Sequence, residues 1–198
     1  VNHNFRITMT IEGVSEDTLV LKMPVWTPGY YWIQNYPKNL SRLDVRDAAG
    51  RECPFSKTSK NTWEIYTGGT DKLTASWVIY GNNHSVADAF IDTTHAFIVP
   101  AALFLYPADA ITSPSQVTLN LYPGWTTVST GLEPVRTSPG TAPEPVSNAA
   151  ATSTAPFGVQ TYSASCYDVL FDSPILAGNQ EVMTFTVSNV PHNIAVLN

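Results

Sequence analysis

The sequence predicts an all-β fold, an antiparallel β-sandwich of about ten strands with at most one or two short helical turns. Three observations carry that expectation. Apolar and polar residues alternate through one run after another, the period of a strand with one face buried. Clusters of Gly, Asn, Asp and Pro punctuate those runs where turns are needed. Thr and Val are abundant, and β-branched side chains pack well on a pleated surface.

Taken in order, residues 4–11 put Phe5, Ile7, Met9 and Ile11 on one face. Residues 18–23 read as a second strand. Residues 30–40 are aromatic and polar without a clean stripe, the first of two places that invite a helical reading. Strands at 43–46 and 63–67 follow, with turn chemistry at Asp47 to Gly50 and Gly68 to Asp71. Residues 72–80 alternate again, with Leu73, Ala75, Trp77 and Ile79 on one face, and end at the turn Gly81, Asn82, Asn83. Short strands are expected at 96–99, 103–106 and 160–164, and a longer one at 116–122 through Val117, Leu119 and Leu121. Residues 165–171 are the second helical candidate, at most two turns, stopped by Pro174. Residues 181–188 place Met183, Phe185 and Val187 on the half-buried face of a last strand. The short connections favour antiparallel pairing. Residues 136–159 are rich in Pro, Ser, Thr and Ala and read as a long surface loop inside a single 1–198 domain.

Composition narrows the partners. The chain has 198 residues, 43% apolar and 11% aromatic, enough to build a core. Charged residues make up 13%, against roughly 25% in ordinary soluble domains. With a net charge of −6 and no basic cluster, nucleic acid and anionic membrane surfaces are poor partners. No apolar run approaches the ~20 residues of a membrane helix, so no membrane insertion is expected. A first residue other than Met points to a processed start, and localisation cannot be read from a missing signal.

Common catalytic motifs are absent: no G-x-S-x-G elbow, P-loop, G-x-G-x-x-G or Cys-x-x-Cys, and no His followed by Glu-x-x-His. His84, Asp88, Asp92 and His95 would share one face of a helix and suit zinc or manganese, but the stretch between them looks extended, which scatters the side chains. Asp168 and Asp172 stand four apart as an acid–base pair might, or as helix caps, with Asp172 receiving backbone N–H groups ahead of Pro174. Cys166 has no basic neighbour to activate it, Cys53 and Cys166 leave pairing open, and Ser173 lacks a base. The most distinctive stretch packs Trp26, Tyr30, Tyr31, Trp32 and Tyr36 among prolines and a glycine directly after a strand. Aromatics with polar handles on a loop suit stacking on a sugar, docking on a protein, or sealing one end of the sandwich.

These residues carry a family resemblance. Met23-Pro-Val-Trp-Thr-Pro-Gly-Tyr-Tyr, Asn39, Gly50 with Arg51, Thr62 with Trp63, Asp92-Thr-Thr-His-Ala-Phe, Tyr167-Asp-Val-Leu-Phe-Asp-Ser-Pro and the late Pro191-His-Asn-Ile-Ala follow in order. The series resembles the N-terminal domain of the glycyl aminopeptidases, zinc metallopeptidases of family sixty-one. It covers nearly the whole chain; the 136–159 insertion and Pro100-Ala-Ala depart from the pattern. The resemblance implies a non-catalytic front β domain with no cofactor of its own. The H-E-x-x-H helix, its zinc, the third glutamate ligand and a PDZ-like module belong to other domains. It implies an enzyme that releases N-terminal glycine or alanine; localisation stays open, with a bacterial periplasmic or secreted protein favoured over a cytoplasmic one. The partners it implies are the chain's own C-terminal catalytic domain and a peptide substrate. The candidate interdomain or substrate-cleft surface is Trp26, Tyr30, Tyr31, Trp32, Tyr36, Tyr167, Asp168 and Asp172. The alternative is a carbohydrate- or peptide-binding sandwich that uses the 26–36 aromatic loop directly. With so few charges, an exposed apolar patch around that loop is expected, the trace of a covering partner.

Overall fold

Period-two alternation sets where the long strands lie. A computed structural model describes residues 2–136, 144–145 and 158–197 of the chain. In chain order the strands are β1 (Asn4–Glu12), β2 (Thr18–Lys22), β3 (Leu40–Asp47), β4 (Phe55–Ser59), β5 (Thr62–Tyr66), β6 (Lys72–Tyr80), β7 (Phe90–Ile91), β8 (Ala96–Ile98) and β9 (Tyr106–Pro107). They continue as β10 (Ser115–Asn120), β11 (Thr127–Thr130), β12 (Glu133–Arg136), β13 (Glu144–Pro145), β14 (Val159–Ala164), β15 (Ile175–Gly178), β16 (Glu181–Val187) and β17 (Val190–Val196). The helical pieces are a 3-10 turn at Tyr36–Asn39, α1 (Pro100–Leu103) and α2 (Tyr167–Phe171).

All pairings between these strands are antiparallel. One sheet has the order β1-β6-β3, a second β4-β5-β2-β9, a third β11-β15-β8-β7 and a fourth β10-β14-β12-β13, with β16-β17 standing as a separate ribbon. In β1 and β6 the register pairs Phe5 with Ile79 and Ile7 with Trp77, so the two apolar faces coincide. Leu73, Ala75, Trp77 and Ile79 are buried, as the alternation requires. They join Leu21, Ile65, Ile98, Tyr162 and Ile175 in one hydrophobic core, which makes the fold a sandwich rather than a set of independent sheets. Each fully buried aliphatic side chain there contributes about 1.5–3 kcal/mol. Trp77 satisfies its indole N–H by donating to the Leu103 carbonyl at 2.9 Å, which ties β6 to α1.

Several expectations need correction. Residues 103–106 do not form a strand: Pro100–Leu103 close one helical turn and pairing begins only at Tyr106. Pro100 supplies the preset φ of a first helical position, where its missing N–H is no loss. Of residues 30–40, only Tyr36–Asn39 turn helically. The strands outnumber the ten or so expected because pairings as short as Phe90–Ile91 leave no periodicity to read. The inward face assigned to Met183, Phe185 and Val187 is overturned: they are 54%, 46% and 52% exposed. Most of the 136–159 segment lies outside the described residues, but Pro145 and Glu144 pair with Val135 and Arg136.

Candidate functional site

The aromatic stretch leaves the sandwich at the end of β2. Met23 is fully buried there and clasped by Asn61: its N–H donates to the Asn61 carbonyl at 3.0 Å, and Asn61 Nδ2 donates to the Met23 carbonyl at 2.8 Å. Thr27, Pro28, Gly29 and Tyr30 then form a tight turn closed by Tyr30 N–H on the Thr27 carbonyl at 3.1 Å. Gly29 has φ +80°, the conformation a type II turn demands at its third position, and Pro28 fits the second. The neck closes where Gln34 N–H donates to the Val25 carbonyl at 2.6 Å. The loop is therefore a defined excursion with both ends tied.

Those aromatics divide into two sets. Tyr31 and Trp32 are 80% and 74% exposed, with Ile33, absent from the sequence-derived set, at 69%. Trp26 and Tyr30 are about half as open, at 37% and 40%. Trp26 tilts against Tyr31 with centroids 5.6 Å apart, and meets Phe171 of α2 edge-on, also at 5.6 Å. That contact joins the loop to α2, whose Asp168 and Val169 face solvent together with Asp172 just after it. Tyr36 and Tyr167, expected on the same surface, are instead buried and act as anchors. The Tyr36 hydroxyl donates to the Ala87 carbonyl at 2.7 Å, and the Tyr167 hydroxyl to the Phe104 carbonyl at 3.0 Å. Tyr167 also stacks on Tyr106 at 4.6 Å. Burial pushes both phenols far above the usual tyrosine range, helped by the Asp88 charge near Tyr36 and by Tyr106 beside Tyr167. Both hydroxyls serve as buried donors that tie their segments to the sandwich.

What the patch offers is broad, amphipathic contact area, with two carboxylates at its margin. Among the described residues no backbone N–H donates to the Asp172 side chain; the turn before Pro174 is held by Ser173 Oγ donating to the Val169 carbonyl at 2.8 Å. The other candidates are polar anchors. His84 and His95 both pack on Phe90, at 3.7 and 5.0 Å, with their own rings 6.2 Å apart. Asp92 Oδ1 lies 3.9 Å from His95 Nδ1, while Asp88 accepts from Asn83 Nδ2 at 2.6 Å. Burial pushes the Asp92 carboxyl up, but the Thr94 hydroxyl and the amides of Thr94 and His95 hold it below the usual range. Among the described residues, no three His, Cys, Asp or Glu side chains converge as a metal site requires. Cys53 and Cys166 are both free thiols. A polar cleft of about 210 Å³ opens between Lys38, Asn39, Tyr80, Asn82, Asn83 and Asp88.

Against known proteins, the family model described as Peptidase M61 N-terminal domain matches residues 1–179. The crystal structure of an aminopeptidase N family protein from Idiomarina loihiensis is similar, with a TM-score of 0.80 and 25% identity. The alignment covers 98% of this chain and 30% of that one, so the chain spans about a third of the length of that relative. No curated protein matches the chain. The chain belongs to the Peptidase M61 N-terminal domain family.

Proposed function

We propose that the chain is the non-catalytic front β domain of a zinc-dependent aminopeptidase that releases N-terminal glycine or alanine. On this reading the loop around Trp26, Tyr30, Tyr31, Trp32 and Ile33, with the outer face of α2, packs on the catalytic portion and helps wall the peptide-binding cleft. The observation that carries it is a tied loop presenting adjacent, strongly exposed aromatics in a chain matched to the front domain of a peptidase family. Zinc would be held by the catalytic portion, and the residues described here contribute shape and apolar surface.

The test uses the protein expressed from its full reading frame, with Tyr31→Ala and Trp32→Ala combined. Buried interfacial aromatics are worth about 2 kcal/mol or more, so kcat/KM for a glycyl anilide should fall tenfold or beyond. Unchanged hydrolysis would remove the loop from any role in docking or the cleft. A second reading is kept alive by Tyr31 and Trp32 being the most open aromatics of the loop: a carbohydrate- or peptide-binding module. It predicts a saturable change in tryptophan fluorescence with oligosaccharide or peptide that disappears in Trp32→Ala. Silence across a glycan and peptide panel removes it.

A further inference from the structure

The β16–β17 ribbon is built with one dry face and one wet face. Its register pairs Met183 with Ile194, Phe185 with His192 and Val187 with Val190, so these six side chains share one face. The opposite face carries Thr184, which donates to Asn193 Oδ1 at 2.6 Å, along with Thr186 and Pro191, and near the base the half-buried Val182 and Ala195. Among the described residues the ribbon pairs with no other sheet. Its apolar face is open: Met183, Phe185, Val187, Val190 and Ile194 are all between 46% and 54% exposed. Phe185 stacks on His192 at 5.3 Å within that face.

The base of the ribbon is fixed, unlike its face. Asn179 Oδ1 accepts from the Thr126 N–H at 3.0 Å, and Gln180 Nε2 donates to Ser129 Oγ and the Leu176 carbonyl at 3.0 and 3.1 Å. The far end turns through Ser188 and Asn189, both at positive φ, which matches the twist of a tight two-residue hairpin. A two-stranded ribbon is at best marginally stable alone in water, and the apolar–polar alternation of residues 183–187 serves it only when the apolar side is covered.

Two observations bear on what covers it. The ribbon begins at Glu181, just past residue 179, where the family match ends. An alignment spanning 98% of this chain includes most of the ribbon's counterpart in the Idiomarina protein, yet accounts for 30% of that protein. We infer that the apolar face of β16–β17 is the seat for the polypeptide that follows Asn198 in the same chain, docked as a sheet face on a hydrophobic surface. The inference rests on the reading of this chain as the front portion of a longer peptidase. The ribbon is a second contact with that portion, separate from the aromatic loop.

Hydrogen exchange of the ribbon amides tests it, measured in the 198-residue chain and in the protein from the full reading frame. Ribbon amides should exchange about tenfold or more slowly in the longer protein. Met183→Ser with Phe185→Ser should restore fast exchange there, while Thr186→Ser on the wet face should not. In the 198-residue chain the same double substitution should leave the melting temperature of the sandwich unmoved, which separates docking from a folding defect. Equal exchange in both lengths overturns the inference, as does a reading frame that stops at Asn198. A concentration-dependent dimer of the 198-residue chain that the double substitution abolishes also overturns it, because the occupant is then a second copy. A protected ribbon beside unprotected amides at Tyr31, Trp32 and Ile33 refutes the aromatic-loop reading and leaves this one standing.

Discussion

Replacing Tyr36 by Phe tests whether the aromatic stretch really divides into anchors and presented surface. The ring stays, so no cavity opens and only the buried hydroxyl is lost. That hydroxyl is 2.7 Å from the Ala87 carbonyl, with Tyr36 1% and Ala87 2% exposed. The lost bond is worth about 0.5–1.5 kcal/mol, and leaving a buried acceptor unpaired costs about 1–3 kcal/mol, so a net loss near 2 kcal/mol is expected. In a chain of this size each kcal/mol moves the melting temperature by about 2–4 °C, which gives a drop of about 4–8 °C in a thermal melt followed by circular dichroism. Trp32→Ala removes a larger side chain from a position 74% exposed. It should stay within about 0.5 kcal/mol of the parent, under about 2 °C. A Tyr36→Phe protein melting within a degree of the parent, or a Trp32→Ala protein losing as much, would refute the division.

The other predictions concern the scaffold. Gly81→Ala should lower the urea midpoint by the equivalent of about 1–3 kcal/mol, because a Cβ there would sit 2.6 Å from Phe5 Cε2 and 3.0 Å from the Ala89 carbonyl. Leu21→Ala, at a position with no exposure, should cost about 2–5 kcal/mol in the same titration. Asp47 should give an acid-sensitive contribution. The Arg51 amide, against the opposing pull of burial and with help from the Arg51 side chain and the Ala49 amide, holds its carboxyl below the usual range. Since the folded value is the lower one, the stabilisation is complete above the ordinary carboxylate pKa of about 3.9 and fades as pH falls through the folded value. The stability gap between the parent and Asp47→Asn should therefore be widest near neutral pH and close in acid; a gap that is flat with pH contradicts this.

Sequence reading succeeded where periodicity had length to work with. β1 and β6 run nine residues each, and their alternation gave both boundaries and faces to within a residue. β4 escaped notice because every residue in it is exposed, so no apolar period marks it. β15 is four residues long, too short for a period, although it pairs on both sides. β16 shows the limit from the other direction. Its alternation correctly gave a strand, but alternation states only that a face is suited to burial, and the described residues leave that face open. The aromatic stretch failed in a related way. Tyr and Trp satisfy a core and a surface equally well, so composition could locate the site but not sort Tyr36 and Tyr167 from Tyr31 and Trp32. That separation depended on long-range partners, Ala87 for Tyr36 and Phe104 for Tyr167, which no local pattern encodes.

Whether this domain supplies surface rather than chemistry is tested most directly by assaying metal content and glycyl-anilide hydrolysis together. Both are measured on the purified 198-residue chain and on the protein from its full reading frame. The expected result is zinc at one per chain and turnover in the longer protein, with neither in the 198-residue chain. Stoichiometric zinc accompanied by hydrolysis in the 198-residue chain alone would contradict the proposal, because the catalytic groups would then have to lie within it.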